Sequence, residues 1–73
     1  MQFHIEHAGC HAVVNGAYAK IDGYKVVGYT TVGVNHPVES DFTTSMETAT
    51  AWCDAANRGE RPAEAKWASY NDD

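Results

Sequence analysis

Three glycines recur at a spacing of seven, Gly9, Gly16 and Gly23, each behind a residue that can enter a tight turn: Ala8, Asn15 and Asp22. Asn-Gly and Asp-Gly supply the two positive-φ residues of a type I′ hairpin turn at little steric cost. Five residues separate consecutive pairs, the usual length of a strand. The pattern predicts a small antiparallel meander in the first half of the chain, turning at Ala8-Gly9, Asn15-Gly16 and Asp22-Gly23. Ala8-Gly9 is the weakest of these turns, because Ala disfavours positive φ, and a longer or bulged connection is the alternative there.

Two-residue loops dictate which residues oppose each other. They set Ile21 against Tyr24, Ala19 against Val26 and Ala17 against Gly28. They set Val14 against Ala17, Ala12 against Ala19 and Cys10 against Ile21. The first loop sets His7 against Cys10, Ile5 against Ala12 and Phe3 against Val14. Opposed residues share a face. One face then holds Phe3, Ile5, His7, Cys10, Ala12, Val14, Ala17, Ala19, Ile21, Tyr24 and Val26, almost wholly apolar, which marks it as the inner one. The fourth strand is expected from Tyr24 to about Val34, with Thr30, Val32 and Val34 continuing this face. Gly28 and Gly33 mark a bend or bulge in it, and Asn35-His36-Pro37 ends it.

A helix should follow. Thr44-Ser45-Met46-Glu47 fits a capping box. Met46, Ala49, Cys53 and Ala56 fall on one stripe with Trp52 beside it, and Asn57 and Gly59 supply a stop. Small residues on helix and sheet allow close approach, with Phe42, Met46 and Trp52 supplying bulk. Arg61-Pro62 opens a second, shorter helical segment whose Ala63, Trp67 and Tyr70 share a face. The expected fold is α+β, one domain over residues 1–73: a four-stranded antiparallel meander packed on one helix, with a short helical C-terminal segment.

With 73 residues the core is small, and a large enclosed active site is not expected. Ten acids against five bases give a net charge of −5, which opposes the counterion-displacing surface that nucleic acids require. A nucleic-acid mimic would carry longer acidic runs than Asp72-Asp73. Two cysteines do not make a disulfide scaffold. There is no cationic start followed by an apolar segment, and no apolar run long enough to span a membrane. A cytoplasmic location is therefore expected, without membrane association.

Ligand-type residues cluster at His4, His7, Cys10 and His11, with Cys53 as a further candidate. The expected register sends His4 and His11 outward and His7 and Cys10 inward, so no metal and no cofactor are expected. Cys10 and Cys53 fall on facing inner surfaces, as free thiols. Neither has a base and an orienting group to make it a nucleophile. The Ser and Thr residues around 40–50 suit caps and turns. No catalytic residue is assigned, and an enzyme is not expected.

The outer face, with His4, Glu6, His11, Val13, Tyr18, Lys20, Lys25, Val27, Tyr29 and Thr31, is the most informative surface. Val13 would face Tyr18, and Tyr18 would face Val27, with Tyr29 beyond. His11, Lys20 and Lys25 would form a row beside this strip. The candidate partner-binding residues are Val13, Tyr18, Lys20, Lys25, Val27 and Tyr29, fitting a protein with an apolar centre and an acidic rim. The competing arrangement covers the strip with Trp67 and Tyr70 of the C-terminal segment. Glu39, Asp41, Glu47 and Asp54 lie before and along the helix, where early acids suit its dipole.

The Asn15-Gly16 and Asp22-Gly23 turns, the capped helix from Thr44 to Asn57 and the charged tail resemble small acidic phage-encoded inhibitors of host machinery. In length the chain is similar to the RNA polymerase-binding inhibitor and antiterminator of a Xanthomonas phage. The resemblance implies binding to an RNA polymerase subunit in the host bacterial cytoplasm and interference with promoter recognition and so with transcription initiation. The chain is expected to be a monomer. Anti-CRISPR proteins, which bind a nucleic-acid-guided effector, are the alternative. A small zinc-binding or catalytic protein is a third reading.

Overall fold

The computed structural model describes residues 2–29 and 37–69. The expectations placed on Thr30, Thr31, Val32, Gly33, Val34, Asn35, His36, Tyr70, Asp72 and Asp73 lie outside these residues.

One glycine step turns the chain. Asn15 (φ 52°) and Gly16 (φ 79°) both take the positive φ of a type I′ turn. They join β1 (Phe3–Val14) to β2 (Ala17–Tyr29) in a single antiparallel register that runs from Val14 opposite Ala17 to Phe3 opposite Gly28. The other two steps do not turn. They lie across from each other inside this hairpin, Ala8 opposite Gly23 and Gly9 opposite Asp22. The expected four-stranded meander therefore does not form, because two long strands occupy its place.

Two glycines of β2 serve close approach instead. A Cβ on Gly23 would lie 2.5 Å from both the Phe42 ring and the Thr43 carbonyl oxygen. A Cβ on Gly28 would lie 2.7 Å from the ring of Phe3, its cross-strand partner. Each glycine clears room for an aromatic ring on the backbone.

β3 (Pro37–Glu39) pairs antiparallel with the other side of β2, and the two-residue β4 (Ala68–Ser69) joins β3, giving the order β1-β2-β3-β4. After β3 the chain keeps pairing with β2 through a bulge. Glu39 is opposite Val27 but Thr43 is opposite Tyr24, so one residue is extra on the β3 side. Ser40 repairs the ladder there. Its N–H donates to the Val26 carbonyl (2.8 Å), and its Oγ accepts the Val26 N–H (2.8 Å) and donates to the Asp41 carbonyl (3.0 Å).

α1 (Met46–Asn57) begins beside Tyr24 and ends at the edge of β1. Its N-cap is Ser45, one residue later than the expected Thr44 box; Ser45 Oγ accepts the Thr48 N–H at 3.1 Å. Gly59 (φ 88°) ends it in a Schellman motif: Glu60 N–H donates to Ala55 O and Gly59 N–H to Ala56 O. Ala49, Trp52, Ala55 and Ala56 are buried, but Met46 is exposed and takes no part in the core.

The core lies between α1 and the open end of the hairpin: Phe3, Val26, Val38, Ala49, Trp52, Ala56 and Ala65, with Ile5, Tyr24, Cys53 and Trp67 against it. The expected second helical segment reduces to one 3-10 turn, Ala63–Ala65, after which the chain enters β4. Trp67 stands edge-on to Phe3 (centroids 5.5 Å, planes 69° apart), and its Nε1–H donates to the Pro62 carbonyl at 3.0 Å. Trp67 thus closes the core and does not cover the strip assigned to it above.

Candidate partner-binding surface

Because β1 runs straight through Ala8-Gly9, its alternation never reverses. Phe3, Ile5 and His7 share their face with Gly9, His11 and Val13, and across the ladder with Tyr18, Lys20, Asp22, Tyr24, Val26 and Gly28. This is the face that α1 covers at its open end. The opposite face carries His4, Glu6, Ala8, Cys10, Ala12 and Val14 of β1 and Ala17, Ala19, Ile21, Gly23, Lys25 and Val27 of β2.

The six candidate residues therefore separate. Val13, Tyr18 and Lys20 lie together near the turn, on the α1 side but beyond its reach. Val13 is opposite Tyr18 as expected, and both are open to solvent (68% and 76% exposed). Tyr18 stacks on His11 (5.4 Å between centroids, planes 11° apart), and Lys20 is opposite His11, with Asp22 3.9 Å from its ammonium. Lys25, Val27 and Tyr29 lie on the other face, at the other end. Lys25 is opposite Glu6, and its Nζ donates to Glu39 Oε2 at 3.4 Å. Val27 is buried, and Tyr29 stacks on His4 at 6.2 Å. The expected contacts of Tyr18 with Val27 and of Lys20 with Lys25 are absent, since these residues belong to one strand.

The histidine and cysteine group is divided differently from the expectation. His7 and His11 share the α1 side, and His4 and Cys10 share the other. His7 packs on Tyr24 (5.3 Å), and His4 Nε2 meets Glu6 Oε2 at 2.7 Å. Among the described residues no three His, Cys, Asp or Glu side chains are grouped to hold a metal ion. Cys10 and Cys53 are both free, and they do not face each other. Cys10 is on the face away from α1, whereas Cys53 Sγ points at the Phe3 carbonyl (3.4 Å). Burial pushes the Cys53 thiol above its ordinary pKa, the Asp54 carboxylate adds to this, and the Asn57 hydrogen bond opposes it.

Two features were not anticipated. Phe42, expected in the core, instead lies over Gly23 and borders an open cavity of about 310 Å³ with Cys10, Lys25, Glu39, Asp41 and Lys66. No local pattern announces it, because the bulge that carries Phe42 across β2 is a tertiary feature. The second is the distal ribbon itself. From Ala8 to Gly23 the hairpin extends past β3 and α1 as two strands, in a molecule 44 Å long and 19 Å thick. Val14 at its end is also exposed, at 47%. No helix of the described residues is long and apolar enough to cross a membrane. No family model, no curated protein and no solved structure matches this chain.

Proposed function

We propose that this chain is a protein-binding module that works through its hairpin arm, and that its partner is a bacterial RNA polymerase subunit whose engagement disturbs transcription initiation. One observation supports the binding role above the others: Val13 and Tyr18 stand exposed together on one face, with Val14 exposed on the other, at the end of a projecting two-stranded ribbon. A lone ribbon is marginal in water, and exposed aromatic and β-branched residues on it gain most from a partner surface. Tyr18 is held flat against His11, so docking it costs little side-chain entropy. The binding residues become Val13, Tyr18 and Lys20, joined by His11 on the same face. Lys25, Val27 and Tyr29 leave the proposed site, because Lys25 is paired and Val27 is buried.

The test uses purified bacterial polymerase holoenzyme immobilised on a sensor surface, beside a promoter-dependent abortive transcription assay. Binding and fewer initiated transcripts are expected from the intact chain. Tyr18→Ala should weaken binding by about 1–4 kcal/mol while circular dichroism is unchanged. Lys25→Glu should disturb folding more than binding. An intact chain that neither binds holoenzyme nor alters initiation ends the polymerase reading. Binding that is indifferent to Tyr18→Ala removes the arm from it.

A further inference from the structure

The outer edge of β1 is handled differently at its two ends. In a hairpin closed by a two-residue turn, Val14 and every second residue before it direct N–H and C=O toward β2. The odd-numbered residues direct theirs outward. Phe3 bears this out: both of its outward groups are taken by one side chain, Asn57 Oδ1 accepting the N–H at 2.7 Å and Asn57 Nδ2 donating to the C=O at 3.1 Å. The carboxamide at the end of α1 imitates one residue of a neighbouring strand. Beyond it, Ile5, His7, Gly9, His11 and Val13 have no such partner among the described residues.

That open stretch lacks the usual guards of an edge. β1 carries no Lys, no Pro and no bulge, and its one carboxylate, Glu6, lies among backbone groups turned toward β2. The distal edge of β2, in contrast, carries Lys20 and Asp22. The open stretch is also symmetric. Its five residues centre on Gly9; the Asn57 plug at Phe3 bounds it six residues before, and the turn at Asn15 bounds it six residues after.

We infer that β1 pairs antiparallel with β1 of a second copy about a two-fold axis at Gly9. This register sets Ile5 against Val13, His7 against His11 and Gly9 against Gly9. Every open N–H then meets an open C=O. Pairing stops where Asn57 of one copy meets the turn of the other, so the plug and the strand length agree. An even sum of paired residue numbers keeps the same face of both copies on one side, as a two-fold normal to the sheet requires. On the second face Ala8 falls against Cys10, Glu6 against Ala12 and His4 against Val14, so no carboxylate opposes another. Exposed Val13 gains Ile5 as a neighbour at the margin of the core. The result is one continuous sheet with both helices on the same side. This pairing does not depend on the polymerase reading, and it replaces the monomer expected above.

Sedimentation equilibrium across a concentration series tests it on the intact chain under reducing conditions. A mass twice 8.0 kDa is expected at high concentration. Gly9→Pro removes the outward N–H at the axis and leaves the β2 ladder intact, so dimerisation should weaken about tenfold or more. Val13→Lys, at an exposed position that cannot threaten the core, should do the same and serves if the proline variant does not fold. Ala8→Cys should form a covalent dimer with Cys10 of the other copy on mild oxidation, whereas Glu6→Cys should not. A chain that stays monomeric throughout the series overturns the inference. So does a dimer indifferent to Val13→Lys, or one that Ala8→Cys does not trap. Protection of the β1 amides only on adding a foreign protein would assign the edge to a strand of that partner instead.

Discussion

Replacing Ser40 with Ala isolates the device that carries the sheet through its bulge. Ser40 is buried, and its Oγ is the acceptor for the N–H of Val26, which is itself completely buried. Ala leaves that N–H without a partner where water cannot reach it, at a cost of about 1–3 kcal/mol. The Oγ donation to Asp41 is lost as well, adding a few tenths to about 1 kcal/mol because the Asp41 carbonyl is only partly buried. The methyl of Ala fits where the serine Cβ already sits, so no cavity term arises. A loss of about 2 kcal/mol is expected, which lowers the midpoint of a domain this size by roughly 8–16 °C. Urea melts followed by the fluorescence of Trp52 and Trp67 measure it, with Thr50→Ala on the exposed side of α1 as the reference change. A Ser40→Ala loss under about 0.5 kcal/mol would overturn this role of Ser40, because Val26 N–H must then have found another acceptor.

The two misleading glycines should respond in opposite ways. Gly23→Ala drives a methyl into the Thr43 carbonyl and should cost about 1–3 kcal/mol, while Gly9→Ala crowds just the flexible end of Lys20, its other neighbours lying at ordinary contact distance, and should be nearly neutral; paired thermal melts decide this. At the helix start, Ser45→Ala should cost about 1 kcal/mol and Thr44→Ala next to nothing, and the reverse order in denaturant melts would restore the earlier cap. Because the folded-state pKa of Cys53 is raised, its contribution to stability is full below the unfolded-state value and is lost as pH rises through the folded one. Alkylation of Cys53, followed by mass spectrometry at mildly alkaline pH, should therefore be slower than in the urea-unfolded chain, and equal rates would contradict the shift.

The helix was legible because its signals are local. The Ala-rich stripe around Trp52, the hydroxyl at its start and Gly59 after its end need no tertiary partner to be read, and the cap moved by one residue only because Thr44 and Ser45 are both eligible. The α+β character followed from this helix and the Asn15-Gly16 hairpin. Phe42 and Trp67 were not legible. Phe42 leaves the core because an extra residue in the strand after β3 throws it across β2, and bulges carry no dependable local signature. Trp67 has helical spacing from Ala63, yet Lys66 takes a left-handed conformation (φ 50°) that ends the turn and swings the indole onto Phe3.

The sheet departs furthest from the expected meander, and the terms that decide it are present in the chain. Gly9 and Asp22 are equidistant from Asn15-Gly16, as are Ala8 and Gly23, so a long hairpin pairs the very steps that a meander would turn. Both arrangements keep Cys10 opposite Ile21 and Ala12 opposite Ala19, which is why the middle of the register held. They differ in what they demand at the ends. The meander needs Ala8 at positive φ, a strain of about 1–2 kcal/mol, and it sets Lys20 directly against Lys25. The long hairpin needs neither: Lys20 falls opposite His11, and Lys25 falls between Glu6 and Glu39. The apolar inner face of the meander favours the opposite choice, and these local costs at its ends outweigh it. Removing the two turns reverses the alternation of half the sheet. This single change moves Val13, Tyr18 and Lys20 away from Lys25, Val27 and Tyr29, and it leaves β1 as one long strand whose outer edge is open.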